Sequence, residues 1–326
     1  MKKGISVLVC TFNGASRLPK TLEHLAHQTA TSQISWEIIV VDNLSDDHSA
    51  RVAEQEWKKH QLDLPNFRVL CEEKQGKIYA LEQAVSTAQY EYCIICDDDN
   101  WLQSDYVLKM YERLESMPYV GAVGGQGIAV AQSGVLPDWF ADFKDGYAVG
   151  KQAKQSGDVT LRGYLWGAGL GTRTLLYKQM YKNFPSLLTG RFGEQLTAGE
   201  DSEYCLRLIL KGYKLYYDAD LVFKHYIPDN RLTLEYKTRL FEGFTESNKV
   251  LSKYQIVDRM RHKYRENKLT AIYLNIITPV KIWLARDEAQ KQKQREILSF
   301  ISLSEDNPDS TISKIKRFCL DSSNLQ

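Results

Sequence analysis

Two runs near the start of the chain, ISVLVC (5–10) and YEYCIIC (90–96), are apolar almost without a break, and Trp36 to Val41 is nearly so. A strand with one wet face alternates apolar and polar residues. A run that does not alternate is buried on both faces, as in a parallel sheet covered by helices. Asn66 to Leu70 supplies a further strand. Between the strands lie helical segments. SRLPKTLEHLAHQ (16–28) sets Leu18, Leu22 and Leu25 at helical spacing, DDHSARVAEQEWKKH opens with the acids a helix N-terminus favours, and QGKIYALEQAVSTA follows the third strand. The pattern predicts an α/β, doubly wound domain whose ligands gather at the C-terminal ends of its strands.

Three polar clusters occupy such ends. Thr11, Phe12 and Asn13 follow the first strand, Asp42 and Asn43 the second, and Asp97, Asp98 and Asp99 the fourth. Three adjacent carboxylates repel one another, so either a cation or a solvated turn has to account for them. On an extended strand Asp97 and Asp99 face one way and Asp98 the other. The competing structural reading is an acidic cap on a helix beginning at Trp101.

Further on, GAVGGQGIAV reads as a glycine-rich strand and LPDWFADFKDGYAVGKQ as an aromatic, turn-rich loop. YLWGAGLGTRTLLYKQM runs from strand into helix, and GEDSEYCLRLILKGYKLYY is an amphipathic helix capped near Gly212. LVFKHY closes this part at His225. Residues 229–326 read as mainly helical. Between 251 and 295 eleven basic residues face four acidic ones, around the apolar stretch LTAIYLNIITPVKIWL, in which Pro279 would kink a helix. The last dozen residues are expected to fray.

Six scattered cysteines read as reduced, mostly buried thiols of a cytoplasmic protein, and the Cys93/Cys96 pair points to opposite faces of its strand. The opening MKKGISVLVCTF is too short in its apolar run for a signal peptide and is read as a strand. With a formal net charge of +1, the composition gives no sign of a nucleic-acid partner.

Taken in order, SVLVCTFNG, VVDNLSDD, GKIYALEQA, CDDDNWL and GEDSEYCLRL with a following histidine resemble family 2 glycosyltransferases of the GT-A fold, over about residues 4–227. The family often shows a Pro before the Thr of CTFN, and a glycine commonly replaces Leu44. The resemblance implies a Rossmann-like, mixed but mostly parallel sheet flanked by helices. It divides the chain into a catalytic domain over 1–228 and a helical C-terminal extension over 229–326. It also implies a hexosyl transfer with inversion, of the kind that builds polysaccharides of a bacterial cell envelope. The donor would be a nucleotide-diphosphate sugar, uridine-based for preference, and the acceptor a glycan or lipid-linked hydroxyl.

By position, the resemblance implies that Thr11, Phe12 and Asn13 border the base, Asp42 accepts from its imide N–H, and Lys77 approaches the nucleotide. Asp97 or Asp98 would hold the ribose, and Asp99, with Asp97 and His225, would hold Mg2+ or Mn2+. Asp201 would be the catalytic base with Glu200 beside it, and Glu203 an outlying or surface group. Both acids of GED are expected to stay ionised at a helix N-terminus. Trp139, Phe140 and Phe143 in the long loop, and Trp166 near the GAG glycines, are candidates for stacking on the acceptor. The basic, apolar segment 251–295 reads either as peripheral contact with the inner face of the cytoplasmic membrane or as a helical appendage, packed on the catalytic domain or joining two copies of the chain.

Two other functions compete. A sugar-phosphate nucleotidyltransferase would carry a glycine-rich, basic phosphate loop after the first strand, which CTFNGASR lacks. A non-catalytic nucleotide- or glycan-binding module would have no chemical reason to keep Asp99, Asp201 and Lys77 together.

Overall fold

The computed structural model describes residues 1–29, 33–61, 65–188, 198–266, 268–301 and 310–321. The N-terminal part follows the predicted alternation. β1 (Lys2–Thr11), β2 (Trp36–Asp42), β3 (Asn66–Cys71) and β4 (Tyr90–Asp97) are separated by α1 (Leu18–Ala26), α2 (Ser49–Lys59) and α3 (Lys77–Thr87). β1 is fully buried from Gly4 onward and β2 throughout. β3 is half-exposed, because it forms the edge of the sheet. Glu37, near the start of β2, is wholly buried and is satisfied by Ser6, Arg68 and the Gln89 N–H.

The remaining elements of this part are β5 (Asn100–Leu102), α4 (Tyr106–Ser116), β6 (Val120–Ala131), the one-turn α5 (Phe140–Phe143), β7 (Gly157–Asp158), β8 (Leu170–Arg173), α6 (Thr174–Tyr181), α7 (Glu200–Leu210) and β9 (Lys214–Ile227). The strands form one sheet in the order β3-β2-β1-β4-β8-β6-β9-β5, with β7 added on β9. Pairing is parallel from β3 through β4 and again between β6 and β9, while β8 runs antiparallel to both neighbours. The sheet is therefore mixed and mostly parallel. Chain direction across it reverses between β1, which leads out to β2 and β3, and β4. Such a reversal opens a crevice at the strand ends.

Three local expectations are corrected. The Asp97–Asp99 run does not cap a helix, since Asn100–Leu102 pairs with β9 and α4 starts only at Tyr106. The aromatic segment 139–147 is a short helix followed by a 3-10 turn, held by its own ring contacts rather than looping over the surface. The cysteines are all free, but Cys71 is exposed on the edge strand.

Two compact units divide the chain, Met1–Ser247 and Asn248–Gln326, with the boundary inside α8 (Leu234–Glu266). In the second unit α9 (Lys268–Leu284) packs on α10 (Glu288–Ile301). The predicted fraying is corrected for residues 315–320, which belong to α11 (Thr311–Leu320). Ser310 caps this helix through the Ser313 N–H, and Ile312, Ile315 and Phe318 form its buried stripe. The final residues, 322–326, lie outside the described residues.

Candidate active site

Each of the three aspartates has its own cation, drawn from a different part of the chain. Lys77, the first residue of α3, pairs with Asp97. Arg17 clasps Asp98 with both ends of its guanidinium, Nε to Oδ1 and Nη2 to Oδ2, each at 2.8 Å. Arg231, in the turn after β9, donates from Nη1 to Asp99 Oδ2 at 2.9 Å. His225 Nε2 faces the other oxygen, Asp99 Oδ1, at 3.5 Å. The strand alternation expected for the triplet stops at Asp97, because Asp98 and Asp99 lie in a turn that sends the two carboxylates to opposite partners.

Asp98 has no oxygen to spare. Besides Arg17, Oδ2 accepts from Thr11 Oγ1 at 2.6 Å, and its carbonyl accepts from Thr21 Oγ1 at 2.6 Å. Gly14 lies so close that a Cβ there would press into both Thr11 Oγ1 and the Asp98 carboxylate. Asp97 remains partly open. Asp98 and Asp99 shift in opposite directions. Burial pushes the Asp98 carboxyl up, Arg17 notwithstanding. Burial also opposes ionisation of Asp99, but His225, Arg231 and Arg17 outweigh it and hold the carboxyl well below the usual range.

The ends of β1 and β2 are latched together. Asn13, at φ 49°, receives the Asp46 N–H on its side-chain oxygen and donates its own N–H to Ser45. The Gly14 and Ala15 amides donate to Ser49 and Asp47. Asp42 is buried, and its Oδ1 accepts from the Ser45 N–H at 3.1 Å. Asn43, also buried, joins the end of β2 to the start of α3 by accepting the Gly76 N–H at 2.7 Å. Phe12 projects at the mouth of this cluster, 46% exposed.

Glu200 and Asp201 begin α7, and Asp201 is fastened across the crevice. Its Oδ2 accepts the Gly167 N–H and its Oδ1 the Ser202 N–H, both at 2.7 Å. Against the expectation of a readily ionised acid, burial raises the Asp201 carboxyl, and the two amides and Lys77 offset this only in part. Lys77 responds in turn to Asp97 and Glu200. Burial would lower its ammonium, yet these acids raise it. The GED segment and the aspartate turn therefore share one electrostatic neighbourhood centred on Lys77. Of the two expectations for Glu203, behind the site or at the surface, the second is corrected, for the residue is wholly buried. It pairs with Arg207, itself buried, and receives the Ser186 hydroxyl and the Leu187 N–H.

His225 lies on β9 opposite Asn100. Its Nδ1 meets the Tyr147 carbonyl at 2.6 Å, so Nδ1 carries the proton and Nε2 is the nitrogen presented to Asp99. The Tyr147 hydroxyl donates to the Arg231 carbonyl at 3.1 Å, so one residue steadies both His225 and Arg231, while the Asn100 amide also donates to Asp99 Oδ1 at 3.1 Å. The acceptor aromatics fare differently. Phe140 and Trp166 are buried, 3% and 6% exposed. Trp139 is half-buried among Phe140, Phe143 and Tyr147, with Lys237 over its ring. Arg17 and Arg231 escaped the sequence reading. Lone arginines in turns carry no local pattern, and only the three-strand convergence reveals them.

With this geometry in place, comparison with known proteins is informative. Residues 6–154 match the model of glycosyl transferase family 2. Among curated relatives, the dolichyl N-acetyl-alpha-D-glucosaminyl phosphate 3-beta-D-2,3-diacetamido-2,3-dideoxy-beta-D-glucuronosyltransferase of Methanococcus voltae is 25% identical over 234 residues, covering 68% of this chain and 66% of the relative. The poly-beta-1,6-N-acetyl-D-glucosamine synthase of Staphylococcus epidermidis is 27% identical over 134 residues, or 41% of this chain and 31% of the relative. The chain thus spans less than two thirds of either. Among solved structures, S. aureus TarS 1-349 in complex with UDP superposes with a TM-score of 0.52 at 16% identity, covering 94% of this chain and 74% of that one. The mannosyltransferase PcManGT from Pyrobaculum calidifontis, in complex with GDP-Man and Mn2+, gives 0.51 at 17%, covering 98% and 74%. The fold is GT-A.

Proposed function

Residues 6–154 match the model of glycosyl transferase family 2, and from that match we propose that the chain transfers a sugar, with inversion, from a nucleotide-diphosphate donor to an acceptor hydroxyl. The observation that carries this reading is Asp201, a half-buried carboxylate fixed by the Gly167 N–H beside the Lys77–Asp97 pair. The acceptor O–H gives its proton to Asp201 as its oxygen bonds to the anomeric carbon. The bond from that carbon to the diphosphate oxygen breaks on the opposite face, and the diphosphate leaves with the electron pair. Glu200, raising the Lys77 ammonium, helps keep a cation beside the leaving group.

In the donor subsite Thr11, Phe12 and Asn13 border the base and the buried Asp42 accepts from its imide N–H. Asp97, partly open and paired only with Lys77 among the described residues, takes the ribose in preference to Asp98, which the Arg17 clasp makes a clip between strand ends. Asp99 and His225 are the two side chains that would hold a divalent cation, with phosphate oxygens and water completing its shell, since no cluster of three or more such ligands forms among the described residues. The Tyr147 carbonyl fixes the imidazole so that Nε2 points at a carboxylate oxygen, the support a metal-ligating histidine needs. Mg2+ or Mn2+ held there would offset the charge gathering on the departing diphosphate. The Mn2+ held by PcManGT supports a divalent cation as the cofactor.

UDP in TarS favours a uridine carrier, and the phosphate-linked acceptor named for the M. voltae relative favours a lipid-linked one. A nucleotidyltransferase is disfavoured because the one cation of the loop after β1, Arg17, is spent on Asp98. Calorimetry against UDP, GDP and dTDP, with and without Mn2+, tests the reading. UDP binding strengthened by Mn2+ is expected, and no binding of any of the three overturns it.

A further inference from the structure

One face of the last nine residues of α9, 276–284, is bare. Ile276, Val280, Trp283 and Leu284 stand at i, i+4, i+7 and i+8 and so form one stripe along the helix, 67%, 51%, 82% and 63% exposed. Thr278, between them in sequence, is turned inward and buried. A contiguous row of a tryptophan and three branched aliphatics is a surface that water penalises and that a soluble chain seldom leaves uncovered. Lys281 and Arg286 are both exposed at its margins, and of the exposed acids that follow, Asp287 and Glu288, the second is paired with Lys291 and Arg295. They belong to the segment 251–295, in which basic residues outnumber acidic ones by eleven to four.

Charge decides between the coverings. A second copy would bring two such basic segments together, whereas an anionic lipid surface attracts them and takes the apolar row into its acyl boundary. Length decides the manner. Seventeen residues of helix reach about 25 Å, short of the ~30 Å hydrocarbon core. Among the described residues no helix is long and apolar enough to cross a membrane. We propose that the Ile276–Val280–Trp283–Leu284 face of α9 docks in the plane of an anionic bilayer surface, with Trp283 at headgroup level and Lys281 and Arg286 on the lipid phosphates. The inference stands apart from the catalytic reading, since neither its residues nor its readout involve the sugar chemistry.

The test is co-sedimentation of the full chain with vesicles of phosphatidylcholine alone and of phosphatidylcholine mixed with phosphatidylglycerol, at low and high salt. Binding to the phosphatidylglycerol vesicles, weakened by salt and accompanied by a blue shift of tryptophan emission, is expected. Ile276→Ser/Val280→Ser/Trp283→Ser should lower the partition coefficient about tenfold or more, and Lys281→Glu/Arg286→Glu should erase the preference for anionic lipid. Thermal melting checks that both variants are folded. The proposal is overturned if the wild type ignores anionic vesicles or binds both kinds equally at all salts. It is equally overturned if the serine variant binds like wild type, or if light scattering shows a dimer that this variant dissolves while vesicle binding is absent.

Discussion

Asp99 Oδ2 accepts a hydrogen bond from Arg231 Nη1 at 2.9 Å, tying the turn after β4 to the turn after β9. The same carboxylate faces His225, so an arginine and an entering metal ion would draw on one acid. Replacing Arg231 with Met leaves a buried carboxylate with less compensation and should cost about 3 kcal/mol. Added Mn2+ should then raise the melting temperature of Arg231→Met more than that of wild type. Equal shifts in differential scanning fluorimetry would show that the arginine and the metal do not compete.

Asp201→Asn should cut transfer by about 10²–10⁴-fold, the worth of a positioned general base, while UDP binding by calorimetry stays close to wild type. The pH profile carries a second signature. A base works ionised, so the rate rises with pH through its pKa. Burial raises that pKa, so the acid limb of kcat/KM should lie above the ordinary carboxylate value of about 4. A near wild-type rate in Asp201→Asn removes the assignment.

Gly14→Ala places a methyl group against Thr11 Oγ1 and the Asp98 carboxylate. The bond between those two must open, and the Asp98 carboxylate is left with Arg17 alone. Loss of about 1–3 kcal/mol and a higher KM for the donor are expected from urea melts and steady-state kinetics. An unchanged KM would detach this clip from the donor subsite.

Asp42→Asn keeps the shape but removes the charge offered to an imide N–H. UDP affinity should fall roughly tenfold, the difference between a charged and a neutral acceptor. Calorimetry reads it directly, and unaltered affinity would move the base elsewhere.

Glu203 and Arg207 are both 0% exposed and form an i,i+4 ion pair on α7. Arg207 also donates to the carbonyls of Met180, Phe184 and Pro185, holding the segment after α6. Either Glu203→Gln or Arg207→Met strands its partner and should cost about 3–5 kcal/mol, seen as a lower urea midpoint. A loss under about 1 kcal/mol would mean the segment relaxes to rehydrate the survivor.

The strands and the polar clusters at their ends were legible because both depend on short-range pattern. Apolar runs without alternation mean two buried faces, and polar residues that end such runs mark the crevice. What could not be read depended on distant partners. Asp98 looked equivalent to Asp97 until Arg17 was seen to clasp it, and Glu203 looked peripheral because its counterion lies within a helix whose burial no local pattern reveals. Phe140 and Trp166 showed the opposite limit, since an aromatic ring in a turn-rich stretch reads the same whether it packs inward or waits for a sugar.

The sheet order has a consequence for biosynthesis. β4 lies between β1 and β8, yet β8 is Leu170–Arg173, and β9, which brings His225, comes later still. A ribosome delivering this chain exposes β4 as a bare edge, with its row of unpaired amides and carbonyls, for the time needed to make some seventy further residues at ~5–20 residues per second. For that interval the apolar YCIIC run can pair with a neighbour's strand instead of its own. Polysomes crowded with this nascent chain should therefore depend on holdase chaperones until residue 173 emerges.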